Sequence, residues 1–324
     1  MHKIKFGIYK FLFFVLLRLP DFFYSFLFTI AFPVYKALHT KRAYGRVEKH
    51  LDKAREYIET RDKGAALNDT PLLLNGAEQE TLVLNGAEPL QKMTARDVFK
   101  GIYWDALDSY RGLARIRSTT DRIVYENEEI IRDAVAECAK IGMPVAGISI
   151  HQGAFELMHR ALCRYSDHVQ LITDSVGDTA FRDVLKELRS DPHLTEYHPE
   201  ETGKLIRELF RTKGILAMVF DQGKNTKGNT VTLFGRPTTM YLRLPQKINS
   251  MGAGIVIFRT FIEESDKRKP HRKQRIVIRF EKYFPPHYES QGRDLATDIA
   301  SEVEKWIAEH PDQWSWNYHG NFVV

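Results

Sequence analysis

Two short apolar runs constrain this chain more than any other feature: Met143-Pro-Val-Ala-Gly-Ile-Ser-Ile150 and Ile215-Leu-Ala-Met-Val-Phe220. Each follows a helical pattern that closes on a glycine, Gly142 before the first and Gly214 before the second. Continuous apolar runs of this length are strands covered on both faces, as in parallel sheets flanked by helices. Helical patterns over 94–113, 127–141, 181–189, 202–213 and 295–309, with further strand patterns over 252–261 and 274–280, complete an alternating series. The predicted fold is therefore α/β, a mixed central sheet with helices on its faces. Sites in such sheets gather outside the carboxyl ends of the strands, where His151 and Asp221 fall.

The first of these ends carries His151-Gln-Gly-Ala-Phe-Glu156. If a helix begins near Gly153, Glu156 lies in its first turn and can fold back to accept a hydrogen bond from His151. A carboxylate so placed fixes the imidazole tautomer and stabilises the imidazolium formed when the ring takes a proton from a hydroxyl or amine. With 12 histidines in the chain, a chance pair on a solvated surface is the competing reading. The apolar strand before the pair, the close backbone approach open to Gly153, and the apolar Phe155 and Leu157 favour a pocket.

The amino terminus adds a second constraint. From Ile8 to Leu38 it is dominated by Phe, Leu, Val, Ile and Tyr, broken by Arg18, Pro20 and Asp21, with Pro33 in the second half. Basic residues flank it: Lys3, Lys5 and Lys10 before, Lys36, Lys41, Arg42, Arg46 and Lys49 after. Residues 1–40 are expected to be a membrane anchor, a single apolar helix or an in-plane hairpin, ahead of a domain over 41–324. Two buried core helices are the alternative. No small-residue cleavage site follows the first half, which argues against a signal peptide.

Charged residues at 27% and hydrophobic ones at 43% argue against general disorder and a polytopic membrane protein. The formal charge of +5 suits an anionic partner: phospholipid, nucleic acid or an acidic carrier protein. Nucleic acid is disfavoured, because the basic residues are scattered and no recognition motif is present. Cys138 and Cys163 are the only cysteines, without CxxC spacing, and no HExxH occurs, so no metal or redox cofactor is expected.

These features together resemble the bacterial lipid A biosynthesis acyltransferase family, the lauroyl and myristoyl transferases that share a His-x4-Asp/Glu motif with glycerolipid acyltransferases. The resemblance rests on the apolar start with Leu19-Pro20, the strand leading to His151 and Glu156, Arg189, the 214–223 strand and loop, and Pro311-Asp-Gln-Trp-Ser-Trp316. It implies a glycerolipid-acyltransferase-like fold and transfer of an acyl chain from an acyl carrier protein or acyl-CoA thioester to a hydroxyl of a membrane lipid. No covalent acyl-enzyme is implied. The expected setting is the cytoplasmic side of a bacterial inner membrane. His151 would be the general base and Glu156 its orienting carboxylate, with Asp221 supporting the site from the neighbouring strand. Arg189 would stabilise an oxyanion or hold a phosphate. Gly153, Phe234 and Gly235 would line the substrate channel.

The chain departs from the family at two places. Asp221-Gln-Gly223 replaces an Asp-His-Asp turn, and Trp316-Asn-Tyr-His-Gly-Asn-Phe322 lacks the arginines that commonly follow the tryptophan. Lipid A precursor, another glycolipid, an aminolipid and a polyene-like product are all open as acceptors, and a silent membrane scaffold of the same fold is the non-enzymatic alternative. Two further features have no settled role. Leu72-Leu-Leu-Asn-Gly-Ala-Glu78 is echoed at Leu82-Val-Leu-Asn-Gly-Ala-Glu88, which reads as a turn-rich insertion over 63–93. The basic stretch Asp266 to Arg275 reads as a hairpin tip that could dock an acidic carrier protein or anionic headgroups.

Overall fold

The computed structural model describes residues 2–39, 43–67, 88–114, 122–173, 178–222, 228–264, 269 and 271–316. Most of the 72–88 repeat, the 223–227 loop with Gly223, Lys224, Asn225 and Lys227, the basic residues Lys267 and Arg268, and Asn317 to Val324 lie outside these residues.

The helices run α1 His2–Leu16, α2 Asp21–His39, α3 Gly45–Leu67, α4 Glu88–Lys92, α5 Ala95–Ala114, α6 Glu128–Lys140, α7 Met158–Leu162, α8 Thr179–Arg189, α9 Thr202–Thr212, α10 Arg243–Ser250 and α11 Leu295–Glu309. The strands are β1 Ile123–Glu126, β2 Val145–Ser149, β3 Val169–Ile172, β4 Leu194–Tyr197, β5 Ile215–Val219, β6 Asn229–Leu233, β7 Arg236–Met240, β8 Gly254–Ile262 and β9 Ile276–Phe284. Seven of them form one mixed sheet, in the order β1-β9-β8-β2-β5-β3-β4. Only β8 and β9 meet antiparallel within it. The sheet expected from the sequence is present, with helices on both faces.

Alternation of side chains explains why β2 and β5 read as unbroken apolar runs. Ala146, Ile148, Leu216 and Met218 face one core, shared with Leu205 and Leu209 of α9 and Trp306 of α11. Val145, Ile215 and Ala217 face the other, shared with Ile131, Ala134 and Cys138 of α6 and Leu162 of α7. Fully burying a side chain of this size contributes about 1.5–3 kcal/mol, so both covers are required. Because β2 and β5 are parallel neighbours with Ser149 opposite Val219, the residues just beyond both strands emerge side by side. That register is what brings His151 to Asp221.

The amino terminus requires a correction. No helix among the described residues is long and apolar enough to cross a membrane. The apolar run is split into α1 and α2 at Leu17 to Pro20, and the break is fastened to the domain. Arg111 of α5 donates to Asp21 at 2.9 Å and to the Leu19 carbonyl at 3.2 Å. Leu17, Tyr24 and Phe32 are buried. Helix α1 lies along α8, with Lys5 paired to Asp178 at 2.6 Å and Phe13 against Phe181. The two helices are thus part of the folded unit on one side. Their other side exposes Ile4, Ile8, Phe11, Phe14, Phe22, Phe26, Ile30 and Val34.

Candidate active site

After Ser149 the chain makes a compact turn. Gly153 sits at φ +56°, and a Cβ there would lie 2.5 Å from the Thr260 carbonyl oxygen. Its N–H donates to the Gln313 carbonyl at 2.9 Å. Gly153 is therefore spent on packing the turn against β8 and the carboxyl-terminal segment. Gly153→Ala is expected to cost at least about 1–3 kcal/mol, from left-handed strain plus the backbone clash, read as a lower urea midpoint.

At the head of this turn, His151 Nδ1 lies 2.7 Å from Asp221 Oδ1. The His151 backbone N–H also points at both Asp221 oxygens, 3.1 Å from each. An ionised carboxylate only accepts, so Nδ1 carries the proton and Nε2 is the basic nitrogen. The Asp221 side chain is fully buried while that of His151 is 18% exposed. Such a geometry leaves the imidazole partly exposed with the carboxylate buried behind it. The edge of Phe155 packs on the imidazole at 4.5 Å between centroids.

Glu156 does not bond to His151 as the spacing suggested. Residues 155–157 form a 3-10 turn that runs straight into α7, and Glu156 is engaged elsewhere. Arg189, the last residue of α8, donates from Nε to Oε2 at 2.8 Å and from Nη2 to Oε1 at 2.7 Å. Both side chains are nearly buried, at 11% and 12% exposure. Burial opposes the guanidinium charge, but Glu156 outweighs it and raises the Arg189 pKa. Glu196 of β4 is a second acid near Arg189; burial raises its pKa, against the pull of that cation. The structure thus brings together His151 with Asp221, and Glu156 with Arg189.

Phe234 and Gly235 form the turn between β6 and β7, both at positive φ, 48° and 67°. Type I′ geometry matches the hairpin twist but strains a bulky residue. The Phe234 N–H donates to Glu304 at 2.5 Å, and the ring stacks on Trp316. Phe234 is buried, and Gly235 lies against the Tyr57 ring. Two residues at the site were missed in the sequence. The indole N–H of Trp314 donates to Asp221 Oδ2 at 3.1 Å, a contact across 93 positions of chain. His159, near Arg189, is buried and its pKa is lowered to about 3, by burial first and then by Arg160 and Arg189.

The sequence family described as bacterial lipid A biosynthesis acyltransferase matches residues 111–319, more than half of the chain and all of this site. The chain belongs to that family. It is an acyltransferase. No individual curated protein matches it significantly. The acyltransferase's strand-end histidine, its paired carboxylates and its terminal Trp314-Ser-Trp316 all fall within the matched residues.

His159 also sets an acid limit on the enzyme. Its folded pKa lies below the 6.5 of a free imidazole, so the unfolded chain binds the extra proton and stability falls as pH drops from about 6.5 toward 3. His271, lowered to about 4 by burial, adds in the same direction. Asp108, pushed up to about 6 by burial, works the other way because the folded protein takes up its proton first. For His159 the loss at pH 5 relative to pH 7 is about 2 kcal/mol. The pH dependence of the urea midpoint is expected to flatten in His159→Gln.

Proposed function

We propose that this acyltransferase moves a fatty acyl chain from an acyl-carrier thioester to a hydroxyl or amine of a membrane lipid, such as a lipid A precursor, with His151 as general base. The observation that carries the reading is the His151 to Asp221 bond at the carboxyl ends of two adjacent parallel strands. Nε2 takes the acceptor's proton as its oxygen or nitrogen bonds to the thioester carbonyl carbon. The tetrahedral intermediate collapses with cleavage of the C–S bond, and the imidazolium returns the proton to the departing sulfur. Asp221 stabilises the imidazolium throughout. Direct transfer is supported by the state of the two thiols. Cys138 is buried beneath the sheet with its pKa raised by burial, and Cys163 is pushed up to about 12 by burial and Asp191.

Arg189 has a specific task in this reading. Its bidentate partner Glu156 fixes the guanidinium beside the 3-10 turn that follows His151, and in this reading it offers positive charge to an oxyanion or a phosphate. The donor is an acyl carrier protein, or coenzyme A carrying the same thioester, and no further cofactor takes part. The acceptor sits in the cytoplasmic leaflet of a bacterial inner membrane. The outward Phe11, Phe14, Phe22 and Phe26 of the first two helices support in-plane contact with that surface.

The test supplies purified protein with acyl-carrier thioester and vesicles containing a lipid A precursor, a second glycolipid or an aminolipid. One acceptor is expected to gain the mass of one acyl chain, with one free thiol released per chain. Thiol release without an acylated lipid would overturn the transfer reading, and no release from either donor would favour a silent scaffold.

A further inference from the structure

The carboxyl-terminal Pro311-Asp-Gln-Trp-Ser-Trp316 is woven into the His151 turn. Gln152 bridges to Trp314, the Ser315 N–H points at the His151 carbonyl at 3.3 Å, and Gln313 exchanges two side-chain bonds with Ile262 of β8, at 2.7 and 3.1 Å. Trp314 and Trp316 are wholly buried and pack edge to face at 4.8 Å, with Phe234 stacked beyond them. This packing leaves the Trp314 indole one position, and from it the N–H meets Asp221 on the oxygen opposite the one bonded to Nδ1.

We infer that Trp314 is a positioning residue that, through its hydrogen bond to Asp221, governs how that carboxylate meets the His151 imidazole. This rests on the reading of His151 as the base. An N–H donated to a buried carboxylate draws charge from it, so less is left to stabilise an imidazolium on its other oxygen. The indole also holds the carboxylate plane, so that Oδ1 stays aimed at Nδ1. Among the described residues, Glu156 pairs with Arg189, Glu304 accepts from the Phe234 N–H, and Arg259 pairs with Glu281 and Glu309.

Trp314→Phe keeps an aromatic ring in the slot and removes the N–H. In full-length protein with labelled histidine, the NMR titration midpoint of His151 is expected to move upward by about one pH unit, the scale of one hydrogen bond to a charged group. The acidic limb of the kcat/KM profile moves with it. The rate then falls about tenfold on the acidic side, with a smaller change on the alkaline side. A structural role alone would lower activity evenly across pH, and an unchanged midpoint in folded Trp314→Phe overturns the inference. Should that variant fail to fold, the wild-type indole resonance of Trp314 decides. It is expected to shift with the same midpoint as His151, and a flat response between pH 5 and 9 overturns the coupling. Failure of the base reading shows separately, as acyl transfer surviving in His151→Ala, and leaves the midpoint shift untouched.

Discussion

His151→Ala is expected to lower kcat/KM for acyl transfer by about 10²–10⁴-fold, the usual share of a general base. The side chain is 18% exposed, so water can enter the space its removal leaves. The folded state should survive, with a urea midpoint lowered by the lost bond to the buried Asp221 carboxylate. KM for either substrate should change little, because the imidazole acts on a proton rather than on the acyl chain or the lipid body. Acyl transfer by a purified variant at the wild-type rate would exclude His151 as the base.

Asp221→Asn and Glu156→Gln, taken together, separate the two carboxylates. The asparagine is nearly isosteric, but an amide that keeps the His151 backbone N–H bond with its oxygen presents nitrogen to Nδ1. The imidazole is then driven to carry its proton on Nε2, and the base is lost. A drop of about 10³–10⁴-fold in kcat follows, the scale seen when an orienting carboxylate becomes an amide. Glu156→Gln should be milder on kcat at the His151 step. Its main effect is to leave the nearly buried Arg189 guanidinium half-satisfied, costing about 3–5 kcal/mol in stability as for any broken buried pair. Equal kcat losses in the two variants, with stability unchanged, would mean that Glu156 serves the histidine after all.

The sheet and the strand-end residues were legible because β2 and β5 are apolar on both faces, a pattern only a covered central strand needs. The outer strands were not. β1, β3 and β4 have four residues each, and only Tyr197 of β4 is buried, so no periodic run forms. The hairpin of β6 and β7 gives no strand signal because Gly235 and Pro237 interrupt the run, although its Phe-Gly turn supplies two left-handed residues.

At the site, sequence spacing favoured the near carboxylate over the far one. Glu156 is five positions from His151, whereas Asp221 is 70 away and adjacent only through the parallel register. Local spacing carries no information on which way a 3-10 turn aims its side chains, and here it aims Glu156 at Arg189. The same limit hid Trp314. Its motif was visible, but its bond to Asp221 depends on the carboxyl-terminal segment crossing beneath the His151 turn. At the amino terminus, composition recorded the apolar residues, while the Arg111 to Asp21 tie that binds both helices to the domain lies 90 positions apart.

The tautomer of His151 tests the central claim most directly. In wild-type protein with nitrogen-labelled histidine, above the imidazole's titration, the ring proton is expected on Nδ1, donated to Asp221, with Nε2 unprotonated and open to substrate. A proton resident on Nε2 would contradict the assignment of Asp221 as the carboxylate that makes His151 a base.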